Sequence, residues 1–438
     1  MPQSQQRIEA FFLASKQSEI ASLKQLMASC TQVTQVSNLI HELQRERGLS
    51  NVYLASGGTR LCDQRLAQID SARRAEADFR IGLEQLDLET GPLAGRARLF
   101  NNLAHVLHGL DALPGLRQAV DQLELKPEQS TQAYSRLMES LLGVIFEAAD
   151  ISDDPEITRQ LVAMFNLMQG KEYAGQERAW AVSGIAAGEF SAELLERIGN
   201  LIEAQEHCFS TFKEFALQPQ LDAWQMLLEQ PETDEFMRLR QVIARLTPGA
   251  GVPPDISEVW YDLATRRIDA MQVLERELAD LLLTLSDERV QQANSDLKNQ
   301  RASLASLQSS LESSADSQAP SPLTLLLGYT SALPPAGAAG GADWVRSLYG
   351  LVQQQAESLK QMSSELGAAR QALSERKLLE RAKGLLMQYH GLDEEQAFRT
   401  LQQSAMSQKK RLIEVAEKVI ADVERIKGGH KTARRAPN

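Results

Sequence analysis

Two arginines, Arg47 and Arg178, stand 131 positions apart in segments that look alike. Gln44-Arg45-Glu46-Arg47 leads on to Ala55 and Gly57, and Gly175-Gln176-Glu177-Arg178 leads on to Ala186 and Gly188, all at the same offset. An internal pseudo-repeat of this kind sets two helices in equivalent places, each offering an arginine to the interior. Arginine is a poor bundle-core residue unless it is paired, because burying an unpaired charge is very costly. Two readings follow. Each guanidinium bonds to a buried acid or to carbonyls on a facing helix, or the two together clamp a small planar anion. The guanidinium is flat, always charged and presents parallel donors, which suits a trigonal oxyanion better than an ammonium does. A few charge-assisted bonds of roughly 1.5–3 kcal/mol each reach the ~8 kcal/mol of a micromolar site.

A second set of cations lies near the C-terminus. Arg376, Lys377, Arg381 and Lys383 fall on one predicted helix, and Lys409 and Lys410 follow Ser407, a candidate cap, in the expected first turn of another. Cations there oppose the helix dipole at roughly 0.3–1 kcal/mol each, a penalty a phosphate-binding design accepts because a helix N-terminus attracts anions. The alternative is a solvated charged face. Charge partition favours the first: Arg370–Asn438 holds 15 Lys+Arg against 9 Asp+Glu, a net of +6 in a chain of −12, so the first 369 residues carry −18. An acidic body thus joins a cationic tail suited to a polyanion.

Other chemistry finds little support. There is no GxxxxGK[ST] loop, no HExxH and no GxSxG turn. Cys30, Cys62 and Cys208 are too few and too scattered for a disulfide framework or a zinc site. The six histidines do not cluster at ligand spacing, and GAAGGADW follows no strand. These observations predict a chain that is not an enzyme and holds no metal. With neither a signal peptide nor a long apolar run in the sequence, they also predict a cytoplasmic protein that does not enter a membrane.

The elements that must position these residues read as helix throughout. Apolar residues recur at helical spacing and no strand alternation appears, which predicts an all-α fold of antiparallel helical bundles. The spacing predicts helices over 4–28, 32–57, 60–87, 92–124, 128–148, 155–187, 190–217, 232–246 and 254–314, the last with Asp255 and Glu258 as a capping box. This places a bundle domain at 1–314 and a Pro/Gly/Ala-rich linker at 315–342. A coiled-coil-like helix follows at 343–375, where Val345, Val352, Leu359, Leu366 and Leu373 fall seven apart and Leu348, Gln355, Met362 and Ala369 form the second line. That seam suits a dimerising or signal-carrying helix, or one packed on the bundle. The segment 376–430 reads as three short helices: Leu378, Ala382 and Leu385 on the first, ended by Gly391; Ala397, Leu401 and Ala405 on the second, capped by Asp393; Leu412, Val415, Ala416, Val419 and Ile420 on the third.

Ordered motifs give two resemblances. ERKLLERAKGLLM, GLDEEQAF, SAM and RLIEVAEKVI, in that order, resemble the ANTAR family of RNA-binding antitermination modules. The resemblance implies a three-helix unit that binds paired stem-loops in leader RNA and prevents a terminator from forming. It puts RNA contact on Lys383, Lys409, Lys410 and Arg411, with Arg376 and Lys377 as further candidates, and matches Ala382, Gly384, Ala397, Ala405 and Ala416 to small packing positions. LIHELQRERGLSNVYLASGG (Leu39–Gly58), KEYAGQERAWAVSGIAAGEF (Lys171–Phe190) and EVWYDLATRRIDAMQ (Glu258–Gln272) resemble the nitrate- and nitrite-sensing helical domain. That likeness implies nitrate or nitrite as a regulatory ligand with no other cofactor, bound by Arg47 and Arg178, with Arg238 as a third candidate. Together they imply a one-component regulator in which ligand licenses RNA binding, acting as a homodimer at least on RNA. A helical adaptor whose basic tail docks an acidic protein is the competing expectation.

Overall fold

The computed structural model describes residues 2–84, 93–253, 256–313, 341–392, 394–408 and 410–433. They form twelve helices and no named strand: α1 (Pro2–Ala55), α2 (Cys62–Glu84), α3 (Leu93–Asp121), α4 (Pro127–Ile151), α5 (Pro155–Ala187), α6 (Ala192–Phe215), α7 (Gln218–Leu228), α8 (Pro231–Ala244), α9 (Ile256–Ser313), α10 (Gly341–His390), α11 (Glu394–Gln408) and α12 (Leu412–Ala433). The all-α fold is as predicted. Among the described residues no helix is long and apolar enough to cross a membrane. Asp255, Asp393, Lys409 and most of the predicted linker lie outside the described residues.

Local chemistry explains where helices run on and where they stop. The predicted break at 29–31 does not occur; α1 passes through it unbroken. Ser29, Thr31 and Thr34 turn their hydroxyls back onto the carbonyls of Gln25, Met27 and Cys30, at 3.1–3.2 Å. These residues therefore satisfy themselves within the helix rather than capping its end. α5 is bounded sharply. Asp154 accepts from the backbone N–H groups of Glu156 and Ile157, both at 3.0 Å, with Pro155 at the first helical position. Gly188 closes its other end at φ +78°. α7, where the spacing predicts no helix, begins at Gln218-Pro219, with the Gln220 side chain bonded to the Leu217 N–H at 2.8 Å.

Two apolar cores share the long helices. The larger draws on α1–α5, the C-terminal part of α6, α7 and the middle of α9, with Phe79, Tyr134, Leu141, Leu161 and Leu282 fully enclosed. The smaller gathers Ala181 and Ile185 of α5, Ile198 of α6, Phe236 and Ile243 of α8 and Trp260 and Leu263 of α9, with Phe190. Between them lies a polar layer. On α5 it is Gln169, Lys171, Glu172, Glu177 and Arg178; on α1, His41, Gln44, Glu46, Arg47 and Ser50; on α9, Arg267, Gln272 and Glu275, all buried. The pseudo-repeat segments thus meet at one level of the molecule.

The C-terminal helices form their own small core of Leu379, Ala382, Leu386, Ala397, Leu401, Ala405, Val415, Ala416 and Ile420. Leu378 and Leu385, expected inside, are only partly buried beside it. Gly391 ends α10 at φ +65°. Ser407 is not a cap: it lies within α11 and bonds the Ser404 carbonyl at 3.1 Å, and α12 starts at Leu412. Lys410 and Arg411 therefore stand in the connection just ahead of α12, where the dipole penalty expected for a first turn does not arise. Gly384 is exposed, with open space where a Cβ would sit, so it is not a packing position in this arrangement. In the heptad stretch, Leu366, Ala369 and Leu373 are buried, and Ala369 and Leu373 join the large core of the bundle. This part of the seam packs within the chain rather than against a second copy.

Candidate functional site

The two signature arginines cross in the interface between α1 and α5. A Cβ on Gly175 of α5 would lie 2.5 Å from Nη2 of Arg47, and a Cβ on Gly48 of α1 would lie 2.8 Å from Nη2 of Arg178. Each guanidinium therefore rests on a glycine of the other's helix. Their environments differ. Arg47 donates to both oxygens of Glu172, Nη1 to Oε1 at 2.5 Å and Nη2 to Oε2 at 3.1 Å, and Nη1 also reaches the Ser135 hydroxyl at 2.8 Å. Glu172 accepts further from Gln44 and Gln176, both at 2.9 Å. For Arg47 the paired reading of the sequence holds.

Arg178 has no carboxylate in ion-pair range among the described residues. Nη1 donates to the Thr265 hydroxyl at 2.8 Å, and the guanidinium lies over the Tyr261 ring, 4.9 Å from its centre. Burial lowers its pKa, opposed by Tyr261, and the charge of Arg47 lowers it further. Lys171 is cancelled by an ion pair to Glu275, whose other oxygen takes the Ser37 hydroxyl, and Lys171 also donates to Gln272. Asp269 and Glu172 raise the Arg178 pKa at longer range, so Arg178 is the cation of the α1–α5 crossing that is compensated only in part, with no carboxylate in contact among the described residues. His41 of the same layer is kept neutral: burial, then Lys171, Arg45, Arg276 and Arg178, lower its pKa to about 2.

The repeat has a second product that the sequence reading passed over. Glu46 and Glu177 precede the two arginines and are wholly enclosed. Arg117 of α3 grips Glu46 through Nε and Nη2, both at 2.8 Å, while Tyr134 donates to it at 2.6 Å. Arg240 of α8 grips Glu177 in the same fashion, at 2.8 and 2.9 Å, while Gln205 donates to it at 2.6 Å. Two sister carboxylates therefore each fasten a helix to the layer through a bidentate pair. Arg238 is placed elsewhere. It is exposed and pairs with Asp234 at 2.6 Å, so the interior arginine of α8 is Arg240. Near Glu177, Arg267 packs against the Phe236 and Phe209 rings and bonds Gln205 at 3.2 Å; burial and then Arg240 lower its pKa to about 10. The signals missed were an acid at matching offset and helical glycines facing long cations, since an isolated helical glycine needs a packing reason.

The expected RNA-contact residues are distributed over two faces. Lys377 pairs with Asp150 of α4, and Arg376 donates to Tyr173 of α5, lies over the Phe165 ring at 5.8 Å and pairs with Glu380 at 2.7 Å. Lys383 is buried and pairs with Glu380 at 2.8 Å. Around them Arg370 meets Asp153 at 3.0 Å, Arg399 meets Glu196 at 3.2 Å and Gln402 bonds Glu203. Lys410 and Arg411 are exposed, with Arg411 3.4 Å from Glu375. Much of the basic tail is thus laid against the acidic flank of the bundle.

The fold and its polar layer define a class: an all-helical protein in which a large bundle with a buried, under-compensated guanidinium carries a small basic three-helix unit docked on its side. The nitrate and nitrite sensing family (NIT) matches residues 38–283, and the ANTAR domain matches residues 367–420. The chain belongs to the nitrate and nitrite sensing family and also carries an ANTAR domain. It is similar to a nitrate regulatory protein of Klebsiella oxytoca, 31% identical over 423 residues and covering 94% of each chain. It is also similar to the solved structure of the NasR transcription antiterminator, at 29% identity and TM-score 0.59, covering 95% of this chain and 99% of that one.

Proposed function

We propose that nitrate or nitrite enters the α1–α5 crossing, is held by Arg178 together with Arg47, and thereby frees the C-terminal unit to bind leader RNA and prevent termination. The observation that carries this is the buried Arg178 guanidinium, faced by a hydroxyl and an aromatic ring where a carboxylate would ordinarily stand. A desolvated cation of this kind penalises the empty state by several kcal/mol, and a small planar oxyanion removes that penalty with bonds of matching geometry. Arg238 is left out of the clamp. The ligand acts as an effector, so the chain needs no catalytic group.

The described arrangement is the ligand-free, masked state in this reading. Arg376 and Lys377 are turned to the bundle, Lys383 is buried against Glu380 of its own helix, and only Lys410 and Arg411 among the described candidates face solvent. Full RNA contact needs the unit to leave the bundle, in the cytoplasm where leader RNA is made, with two copies pairing on the RNA. A tenfold response needs about 1.4 kcal/mol of coupling, within the usual range.

The test titrates nitrate and nitrite into the full chain by calorimetry and follows two-hairpin RNA binding with and without each anion. Heat of binding in wild type, its loss in Arg178→Ala, and anion-dependent RNA affinity are the expected outcome. A wild-type chain that gives no heat and binds RNA equally with and without anion overturns the reading.

A further inference from the structure

Glu172 occupies a place that its helix alone does not require. Its carboxylate lies flat against Arg47, two oxygens on two guanidinium nitrogens, with Ser135, Gln44 and Gln176 around it. A carboxylate and nitrate share the feature that matters to a guanidinium: two coplanar oxygens carrying one delocalised negative charge. Arg47, Arg178 and Glu172 together hold two positive charges and one negative, so one anion site of the pair is already filled from within. Glu172 also lines a cleft of about 1660 Å³ between the bundle and the C-terminal unit, beside Ser135, Tyr173 and Gln176 and opposite Arg376 and Lys383. The next residue, Tyr173, accepts the hydrogen bond from Arg376.

From this arrangement we propose that Glu172 is an internal stand-in for the ligand: its carboxylate holds Arg47 in the empty state and is displaced from it when the oxyanion binds. The inference rests on the nitrate reading above and deepens it. Glu172 then sets the affinity, because the incoming anion must outcompete a carboxylate tethered at high effective concentration. It also links the site to the mask, since a side chain expelled from Arg47 has the cleft beside it, at the residue adjoining a docking contact.

The experiment is calorimetry, thermal unfolding and RNA binding on the full chain. Glu172→Gln keeps the shape and removes the charge. It should bind nitrate at least tenfold more tightly than wild type, unfold at lower temperature without anion and recover with nitrate, and reach half-maximal RNA binding at proportionally lower nitrate. Glu172→Ala opens the position, and formate, a small planar carboxylate, should raise its Tm more than it raises that of wild type. A folded Glu172→Gln chain that binds nitrate no more tightly than wild type overturns the proposal. If that variant does not fold, the absence of any formate effect on Glu172→Ala overturns it instead. Failure of the parent reading looks different: wild type itself then shows no nitrate heat. If wild type binds and Arg178→Ala does not, while Glu172→Gln matches wild type, only the stand-in role falls.

Discussion

Neutralising the acids under the basic tail should unmask it without touching a single RNA-contact residue. The variant is Asp150→Asn, Asp153→Asn and Glu196→Gln, which removes the partners of Lys377, Arg370 and Arg399. The magnitude follows from exposure. Arg370 and Asp153 are 49% and 82% exposed, and Arg399 and Glu196 24% and 47%, so each pair contributes about 0.5 kcal/mol after screening. Lys377 and Asp150 are drier, at 32% and 15%, and sit nearer about 1 kcal/mol. The sum of about 2 kcal/mol corresponds to a shift of roughly 30-fold in the docked-to-free ratio. Fluorescence anisotropy of a two-hairpin RNA at fixed salt, without nitrate, should therefore show markedly tighter binding by the triple variant. Removing three negative charges also reduces general repulsion of RNA. The control accordingly neutralises Asp70, Asp234 and Glu258, acids of the bundle whose partners Arg73, Arg238 and Arg60 lie outside the docked unit. Equal shifts in the two triple variants, or no shift in the first, would refute the idea that the docked arrangement is a mask.

The remaining predictions concern the polar layer and the tail. Arg178→Ala should lose the nitrate response with little change in Tm, relief of the buried charge offsetting the lost packing, whereas Arg47→Ala strands the buried Glu172 carboxylate and should lower stability by roughly 3–5 kcal/mol in denaturant titration. Gly175→Ala pushes a methyl against Arg47 Nη2 and should weaken nitrate binding, while Gly199→Ala in α6, with open space around it, should stabilise by about 0.5–1 kcal/mol. His41 has a folded pKa near 2 against an ordinary value near 6.5, so the stability it confers is complete above pH 6.5 and falls as pH drops below it. His41→Gln should accordingly lose about 2 kcal/mol less than wild type between pH 7 and pH 5. Lys409→Ala with Lys410→Ala should weaken RNA binding and flatten its dependence on salt.

Much of the architecture was legible in the residues. Periodicity located the helices of the bundle except α7, whose eleven residues are too short to show a face, and the division of α1, where Ser and Thr look like punctuation until their hydroxyls are seen to bond backward. The small core of the C-terminal unit was readable because Ala397, Leu401 and Ala405 leave one stripe to bury. The interior of the polar layer was less so. Sequence marks Arg47 and Arg178 as equivalent, yet packing gives one a carboxylate and the other a ring and a hydroxyl. Which of Arg238 and Arg240 points inward depends on a rotation of α8 by two residues, which the pattern EFMRLRQVIARL does not fix. That Arg376 and Lys377 would face inward required knowing that α10 lies along the bundle, a contact between segments more than two hundred residues apart.

The crossed arginines have a mechanical consequence. Because Arg47 is seated on Gly175 and Arg178 on Gly48, α1 and α5 are keyed to each other at two points in opposite directions. Neither helix can slide along the other by part of a turn without driving both long side chains into backbone at once. Displacements of the interface are therefore resisted at both points together. A signal that loosens one guanidinium loosens the grip of both helices on each other.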